Sequence, residues 1–547
     1  AKIDAASIVR KDIENLFPLS IIHLNDFHAR FEQTNFDSTT CKEGLGQICI
    51  GGYARAMTMI KQLRQEREEQ KKNPIFLNIG DNFQGTLWYE LLGWNVTAHF
   101  LNILPADATT LGNHEFDRGV MEVVHFLENL KSPVVVANLD DSEQPELQGL
   151  YNKSITIERD GRKIGLVGAL VVATVDISSP EKLHILDEIE SVKKESERLR
   201  DEEGVDIIVV LSHCGLVIDR EMAKLGGSAI DVIVGGHSHT LLHTQTPGVP
   251  VPGPDTPGDV YPIVTTQDNG HKVLIVQSSA YTKYVGDLVV YFDDDGEAQS
   301  WEGNTIFLDT SIMPDPDIVA EMAPWKAQVD AVALREVGTI KTMLYQRDCA
   351  FGECNIGSFV TDAFVDYFIS HPDYQNNDDS WTYGTIALTN AGGIRTSLAP
   401  GMITYDDLFT SLPFQNTIDS FELRGDHLLE ALQMSAEWYR FYNFLQFSGM
   451  KVVYNVTDLD KPDVVSVDIL CRQCDVPRYE KLDVTRNYRL IVPNFIGAGG
   501  NGFVAFKKRT NYQSGDAKDV EVVERYVKKM QPVIQRKDGR IVVITGA

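Results

Sequence analysis

The sequence of 547 residues predicts a layered α/β domain followed by a smaller α+β domain. From Leu19 to about Leu308, short runs rich in Val, Ile and Leu alternate with amphipathic helical patterns, as in sheets whose strands are buried on both faces. After about Arg335, helices and strands mix without that alternation, which is typical of an α+β domain. A hydrophobic content of 43% with 23% charged residues fits a globular chain of several domains.

The apolar runs are the predicted strands of the first domain. In chain order they read SIIHLND, PIFLNIGD, ATTLGNH, PVVVANLD, KIGLVGAL, VDIIVVLSHC, AIDVIVGGHSH, KVLIVQSSA and GDLVVYFDDDG. Apolar spacing with charged outer faces predicts helices over 57–72, 121–131 and 187–203. The Pro- and Gly-rich stretch 244–262 cannot form regular structure, so we expect a surface loop there.

A helix is predicted between the two domains. Pro314-Asp315-Pro316-Asp317 is a typical helix start, and the apolar spacing continues to Leu334. We therefore place the domains at residues 1–313 and 336–547, with a linker helix at 314–335. In the second domain, helices are expected over 356–368 and 426–442, and strands over TIALTNAG, KVVYNV, YRLIVPNF and RIVVITG.

The charge balance excludes some partners. Lys plus Arg number 50 against 78 Asp plus Glu, which gives a net charge of −28. Nucleic acids and anionic membranes require clustered cations, so neither is an expected partner. No apolar run approaches the ~18 residues of a membrane span. Ala1 in place of Met is what removal of a signal peptide would leave, and three glycosylation sequons begin at Asn95, Asn152 and Asn455.

Six of the seven cysteines fall into three local sets: Cys41 with Cys49, Cys349 with Cys354, and Cys471 with Cys474. Each set can close a short disulfide loop, which would indicate an oxidising compartment and a secreted protein. Structural zinc is the alternative, although no second CxxC or HxxxH completes a tetrahedral site. Cys214 ends an apolar run, so we expect a buried free thiol there.

Five of the predicted strands end in residues that can bind metals. In open α/β sheets, ligands bind outside the carboxyl ends of the strands, so these side chains should converge. Asp, Asn and His without thiolates suit Zn²⁺, Mn²⁺, Fe²⁺ or Mg²⁺, and the number of residues predicts a two-metal site. The residues are Asp26, His28, Asp81, Asn113, His114, His213, His237 and His239.

The segments DFH, GDNFQG, GNHEFD, SHCG and GGHSH resemble the five signature blocks of the calcineurin-like metallophosphoesterases. NAGGIR, LPFQN and PNFIGAGGNGF resemble the substrate-binding domain of the 5'-nucleotidase family, and the three cysteine sets resemble disulfides of its extracellular animal members. This resemblance implies a four-layered α/β/β/α sandwich, then a smaller α+β substrate-binding domain. It also implies a hydrolase acting on nucleoside 5'-phosphates.

Carried over residue by residue, the resemblance implies two metal sites that share one carboxylate. Asp26, His28, Asp81 and His239 would hold one ion, and Asp81, Asn113, His213 and His237 the other. Zinc is the expected metal, with calcium or magnesium as alternatives. Family members vary at the position of His239, so an outer or exposed role stays open for it. His114, held by Asp117, would stabilise or protonate the transferring phosphoryl group.

In the second domain, the resemblance implies that Phe414 and Phe495 sandwich the base of an adenine nucleotide. Asn390, Arg395 and Asn501 would contact the rest of the nucleotide. Two departures stand out: Ala350 replaces an Arg, and Asn501 replaces an Asp, of the vertebrate members.

These departures lead us to expect a secreted apyrase that converts ATP and ADP to AMP, as the salivary apyrases of blood-feeding arthropods do against platelets. A 5'-nucleotidase that converts AMP to adenosine is the main alternative. A nucleotide-binding protein without turnover and a cyclic or 2',3'-nucleotide phosphodiesterase are the others. The sequence does not indicate the oligomeric state.

Overall fold

The computed structural model describes residues 15–42, 47–371, 374 and 380–546. The chain divides into two compact units. The first contains Ala1–Phe36 and Cys41–Ala327, and the second contains Asp37–Thr40 and Gln328–Ala547. The division falls inside a single helix, α7 (Pro316–Ala333).

Two sheets form the centre of the first unit. The first sheet has the order β13-β12-β1-β2-β3, with β1 Phe17–Leu24, β2 Pro74–Asn78, β3 Ala108–Thr109, β12 Tyr284–Phe292 and β13 Ala298–Phe307. The second has the order β10-β11-β9-β8-β6-β5, with β5 Ser154–Arg159, β6 Arg162–Leu170, β8 Ile207–His213, β9 Val232–Gly235, β10 Ile263–Thr266 and β11 Lys272–Val276. A small separate pair joins β4 (Leu139–Asp140) and β7 (His184–Ile185).

The two sheets pack face to face through one core. Leu19 and Leu77 of the first sheet share a buried apolar cluster with Leu166, Val209 and Ile233 of the second. The helices of this unit are α1 Tyr53–Glu69, α2 Leu87–Leu101, α3 Val120–Asn129, α4 Thr174–Ile177, α5 Glu188–Glu203 and α6 Leu216–Leu225. Helices pack on both sheets: α1 on β1 and β2, α5 on β6, and α6 on β9 and β11. The predicted α/β/β/α sandwich is confirmed.

Local sequence signals fix the ends of α5. The Asp187 side chain accepts a hydrogen bond from the Glu190 backbone N–H at 2.8 Å, as an N-cap does. Gly204 closes the helix in the left-handed conformation, with φ 63°. The helix therefore lies within one residue of the predicted range 187–203.

The run PVVVANLD does not form the continuous strand that its composition predicts. Val134 makes a single bridge to Thr109 in the first sheet, and the Ala137 N–H donates to Gly168 in the second. The Asn138 side chain then bonds both the N–H and the carbonyl of Leu170. The segment thus passes from one sheet to the other, and a side-chain amide takes the place of a strand neighbour.

A buried carboxyl lies at the amino end of β9, away from the strand's carboxyl end. Asp231 is 1% exposed and accepts hydrogen bonds from Arg200 Nη2 at 2.8 Å and from the Ile208 N–H at 2.7 Å. Burial raises the pKa of Asp231 to about 7, although Arg200 partly offsets it. The folded chain therefore binds a proton here that the unfolded chain releases near pH 4.

Stability should fall as the pH rises from about 4 to about 7, by about 1.4 kcal/mol per pH unit from Asp231 alone, and then level off. Thermal midpoints of wild type and Asp231→Asn at pH 5 and pH 7.5 test this. We expect a smaller decrease between these pH values in the variant, since the amide does not titrate. Equal decreases in both proteins would show that Asp231 is ionised throughout.

The second unit is α+β, as predicted. One sheet has the order β18-β15-β22-β17-β23 and another β21-β20-β19-β24, while β14 pairs with β16. The strands are β14 Glu336–Ile340, β15 Ile386–Asn390, β16 Gly401–Thr404, β17 Ile418–Arg424, β18 Leu445–Ser448, β19 Met450–Asn455, β20 Asp463–Leu470, β21 Tyr479–Lys481, β22 Asn487–Pro493, β23 Thr510–Gln513 and β24 Ile541–Ile544. The helices are α8 Asn355–Ser370, α9 Tyr405–Ser411, α10 Gly425–Glu437, α11 Asn494–Gly497 and α12 Asp519–Met530.

Disulfides join all three predicted cysteine pairs: Cys41–Cys49, Cys349–Cys354 and Cys471–Cys474. Cys214 is a buried free thiol, as predicted. Across the described ranges, no helix has both the length and the apolar character needed to cross a membrane.

Candidate active site

The seven predicted metal ligands all lie in the first unit, at or just beyond the carboxyl ends of its strands. Asp26 and His28 follow β1, and Asp81 follows β2. His213 is the last residue of β8, and His237 and His239 follow β9. Asn113 begins the short 3-10 helix Asn113–Phe116 after β3. Both sheets of the sandwich therefore contribute ligands to the same edge.

Four of these residues form one compact group. Asp26, His28, Asp81 and His239 each offer a ligand atom within 4.8 Å of the others. His28 Nε2 lies 3.0 Å from His239 Nε2 and 3.5 Å from Asp81 Oδ2. Asp26 Oδ1 lies 3.3 Å from His239 Nε2. His239 therefore lies with the other three side chains, and its own side chain is 10% exposed.

A second group shares Asp81 with the first. Asp81, His213 and His237 offer ligand atoms that also lie within 4.8 Å of one another. His213 Nε2 is 3.1 Å from Asp81 Oδ2, and His237 Nδ1 is 2.8 Å from Asn113 Oδ1. The geometry thus contains two donor sets joined by one carboxylate.

Backbone carbonyls orient two of the imidazoles. His28 Nδ1 faces the Gln84 carbonyl at 3.1 Å, and His213 Nδ1 faces the Ile79 carbonyl at 2.6 Å. A carbonyl can only accept, so the proton of each neutral ring is assigned to Nδ1. The Nε2 lone pairs are then directed into the cluster, as in metal-binding histidines.

The backbone at the site is held in an unfavourable conformation. Five of the seven residues have left-handed φ values: Asp26 51°, His28 50°, Asp81 49°, His237 69° and His239 53°. Such residues cost about 1–3 kcal/mol each and cluster at functional sites. The backbone conformation that orients these side chains therefore lowers the stability of the folded protein.

Close backbone approach also requires a glycine beside the shared carboxylate. A Cβ atom on Gly112 would lie 2.2 Å from Asp81 Oδ1 and 2.5 Å from the Asp81 backbone nitrogen. No side chain fits there without displacing Asp81.

The electrostatics of the cluster favour cations. Burial alone would raise the pKa of the Asp81 carboxyl, but His213 and His114 hold it well below its ordinary value. Burial opposes charge on His213 as well, yet Asp81 and Asp26 raise its pKa to about 10. At His237, burial and the neighbouring His213 lower the pKa to about 3. The two buried carboxylates thus draw positive charge into the site.

The residues present fit divalent ions. Within the described part of the chain, the fully buried His213 Nε2 has no hydrogen-bond partner, although Asp81 Oδ2 is near. A polar atom in such a place is costly unless something else satisfies it. Imidazole and carboxylate donors without thiolate suit zinc and neighbouring divalent metals.

His114 and Asp117 lie together next to this cluster. His114 Nδ1 and Asp117 Oδ2 are 2.6 Å apart, and Asp117 Oδ1 accepts a hydrogen bond from Ser178 at 2.8 Å. The His114 backbone N–H also donates to Asp81 Oδ1 at 3.0 Å. The carboxylate therefore fixes the proton of the neutral His114 ring at Nδ1.

Two polar residues missed by the sequence analysis position the ligands. The fully buried Glu115 accepts hydrogen bonds from the N–H groups of Asp81, Asn82 and Gly112 at 3.0, 2.6 and 2.6 Å. Asn25 donates to Asp26 Oδ2 at 2.7 Å and accepts from Ser278. Only their place beside Asp26 and within GNHE pointed to them, since Asp81, Asn82 and Ser278 are distant in sequence.

Tyr281 is a third missed residue. Its ring meets those of His28 and His239 edge to face, with centroid separations of 5.4 and 5.2 Å. Arg30 lies under the same ring, 4.5 Å from its centroid. Nothing in the run SSAYTKY indicated this packing.

The five predicted substrate-binding residues all lie in the second unit. Asn390 ends β15, and Arg395 follows the turn after it. Arg395 Cζ is 5.6 Å from the centroid of the Phe414 ring. Phe495 lies in α11 and Asn501 lies in the Gly-rich turn that follows, with φ 54°.

The chain segment 438–444, called here the aromatic loop, links these residues. The Tyr442 carbonyl accepts hydrogen bonds from the Gly392 N–H at 2.7 Å and from Asn390 Nδ2 at 3.4 Å. Asn443 Nδ2 donates to the Asn501 carbonyl at 3.3 Å. The helix predicted over 426–442 is therefore too long, since α10 ends at Glu437 and Arg440 has φ 78°.

Both units have counterparts among known proteins. The profile of calcineurin-like phosphoesterase matches residues 19–241, and that of 5'-nucleotidase, C-terminal domain, matches residues 336–508. An apyrase of Tabanus yao is 46% identical, over 96% of this chain and 94% of its own. The 5'-nucleotidase of Mus musculus is 36% identical, over 96% and 90%.

A solved structure is also similar over nearly the whole chain. The crystal structure of a 5'-nucleotidase precursor from Thermus thermophilus aligns with a TM-score of 0.85 and 32% identity. The alignment covers 96% of this chain and 99% of that one. Together with the two matched domains, these relatives show that the chain belongs to the 5'-nucleotidase family of calcineurin-like phosphoesterases and is a hydrolase of that family.

Proposed function

We propose that this chain is an apyrase, which hydrolyses ATP and ADP to AMP and phosphate. The broader activity, hydrolysis of nucleotide phosphates, follows from the family. The observation that carries the proposed mechanism is the pair of donor sets joined by Asp81. We assign Asp26, His28, Asp81 and His239 to one ion and Asp81, Asn113, His213 and His237 to the other.

Bound divalent ions would acidify an attacking water and neutralise charge on the phosphoryl oxygens. The chain's own residues fix where that chemistry occurs. Asp81 is held by the His114 N–H, and Asp26 accepts the His237 N–H with both oxygens at 3.1 Å. These bonds keep the carboxylates in place without movement during the reaction.

His114 is the proposed residue that acts on the phosphoryl group. Asp117 holds the proton at Nδ1 and stabilises the ring when Nε2 is also protonated. An Nε2–H donor can then stabilise the charge that develops on a phosphoryl oxygen or protonate the leaving oxygen. The Ser178 hydroxyl keeps Asp117 oriented toward the ring.

The second unit is the proposed nucleoside-binding part. Phe414 and Phe495 offer aromatic faces for the base, and the fork-shaped guanidinium of Arg395 suits a phosphate. Asn390 and Asn501 are the proposed polar contacts. Removal of the Phe495 ring should therefore weaken the hydrolysis of nucleotides and leave the hydrolysis of substrates that lack a base unchanged.

Phe495→Ala is expected to raise KM for ADP about tenfold, since stacking of a base on an aromatic ring contributes about 1–3 kcal/mol. Hydrolysis of p-nitrophenyl phosphate should stay within twofold of wild type. Steady-state kinetics on both substrates decide the matter. A similar loss on both would remove Phe495 from base binding.

Two observations favour ATP and ADP over AMP. Ala350 and Asn501 stand where the vertebrate members have a cation and an anion, so the sugar and phosphate must be held differently here. The 46% identical relative of Tabanus yao is named an apyrase. The mouse relative, a 5'-nucleotidase, supports the second candidate, hydrolysis of AMP to adenosine.

Product analysis separates these candidates. The chain is incubated separately with ATP, ADP and AMP, with and without EDTA, and with Zn²⁺ or Ca²⁺ restored, and the products are resolved by chromatography. We expect ATP and ADP to end at AMP. Conversion of AMP to adenosine would establish the 5'-nucleotidase instead, and no phosphate release under any condition would favour a binding protein.

We also propose that the protein acts outside the cell. The chain has three disulfides, and disulfides typically form and persist in oxidising compartments. Removal of extracellular ADP would then restrain platelet activation, if the source is saliva.

A further inference from the structure

The aromatic loop places one side chain beside the proposed phosphate-binding arginine. Arg395 Cζ lies 6.0 Å from the centroid of the Tyr442 ring and 5.6 Å from that of Phe414. The guanidinium is therefore flanked by two aromatic rings, which restrict its rotamers.

Tyr442 is fixed at its backbone, and its ring lies beside Arg395. Its carbonyl accepts two hydrogen bonds from the turn that carries Asn390 and Gly392. A Cβ atom on Gly392 would lie 3.0 Å from Tyr442 Cβ, so the two segments are in close contact. The residue is nevertheless 44% exposed. A tyrosine anchored in this way, with an exposed side chain, is suited to contact a ligand.

We propose that Tyr442 is a substrate-contact residue whose hydroxyl donates a hydrogen bond to the phosphate that Arg395 binds. The inference deepens the proposed function and rests on it, because it takes a nucleoside 5'-phosphate as the ligand. A hydroxyl and a guanidinium together can satisfy more phosphate oxygens than either group alone.

Neighbouring residues supply the matched control. Phe441 is adjacent to Tyr442 in the aromatic loop and 48% exposed. The centroid of its ring lies 5.7 Å from that of Trp438. Phe441→Ala therefore alters the same loop without touching Arg395. Tyr442→Phe keeps the ring beside Arg395 and removes only the hydroxyl, so folding should be preserved.

The test is equilibrium binding by calorimetry to the whole chain with metals present. The probes are an ADP analogue, in which a methylene group replaces the oxygen between the phosphorus atoms, and adenosine, which has no phosphate. Tyr442→Phe should weaken binding of the analogue about tenfold, as expected for loss of a hydrogen bond to a charged group. Its affinity for adenosine, and both affinities of Phe441→Ala, should stay within twofold of wild type.

Two results would overturn the proposal. The first is unchanged binding of the analogue by Tyr442→Phe. The second is equal weakening of analogue and adenosine, which would indicate a structural role in the loop. Failure of the proposed function looks different, since wild type would then bind the analogue yet leave ATP and ADP intact.

Discussion

Replacement of Asp81 by Ala should lower kcat/KM for ADP by more than about 1,000-fold, since loss of even an outer partner of a metal ligand costs about 10- to 100-fold. Asp81 belongs to both donor sets, so the variant disrupts the two proposed ion sites at once. Metal content by mass spectrometry should fall in parallel with activity. Chromatography of the products and metal analysis of the same sample measure both.

Asp231→Asn is the matched control for Asp81. It also removes a buried Asp carboxyl from the first unit, but Asp231 lies at the opposite end of β9 and contacts Arg200. We expect wild-type turnover and metal content in this variant. An Asp81→Ala protein that kept both its metals and its turnover would contradict the shared-carboxylate assignment.

Replacement of His114 by Ala should lower kcat about 100- to 10,000-fold, the usual contribution of a general acid or base. Metal content should stay unchanged, because His114 is assigned to neither donor set. Asp117→Asn should lower kcat about 10- to 100-fold, since it changes only the partner of His114 Nδ1.

His125→Ala provides a histidine control, because this side chain is about half exposed and faces Glu128. Its kcat should equal that of wild type. Loss of metals from His114→Ala would make His114 part of the metal site. A wild-type kcat in that variant would exclude it from catalysis.

Much of the first unit could be predicted because its strands are continuous apolar runs. The fully buried run of β8 reads IIVVLSH, and its last residue is a ligand candidate at the carboxyl edge where sites form. The same reasoning places Asp26, Asp81 and His237 at strand ends from the sequence alone. The donor sets could then be assigned by resemblance, and the geometry brings the same residues together.

The features that could not be predicted depend on contacts between distant segments. Glu115 looks like a helix-start acid, and its role appears only when Asp81 and Asn82 meet it. Val134 lies in a strand-like run, but the chain crosses between sheets there. Tyr442 continued a helical pattern, but α10 ends at Glu437, and neither that end nor the positive φ of Arg440 has a signal in the sequence.

Anomalous diffraction from crystals grown with zinc tests whether a pair of divalent ions shares Asp81. We expect two anomalous peaks, one among Asp26, His28, Asp81 and His239, and one among Asp81, Asn113, His213 and His237. A single peak, or two peaks that do not both contact Asp81, would contradict it.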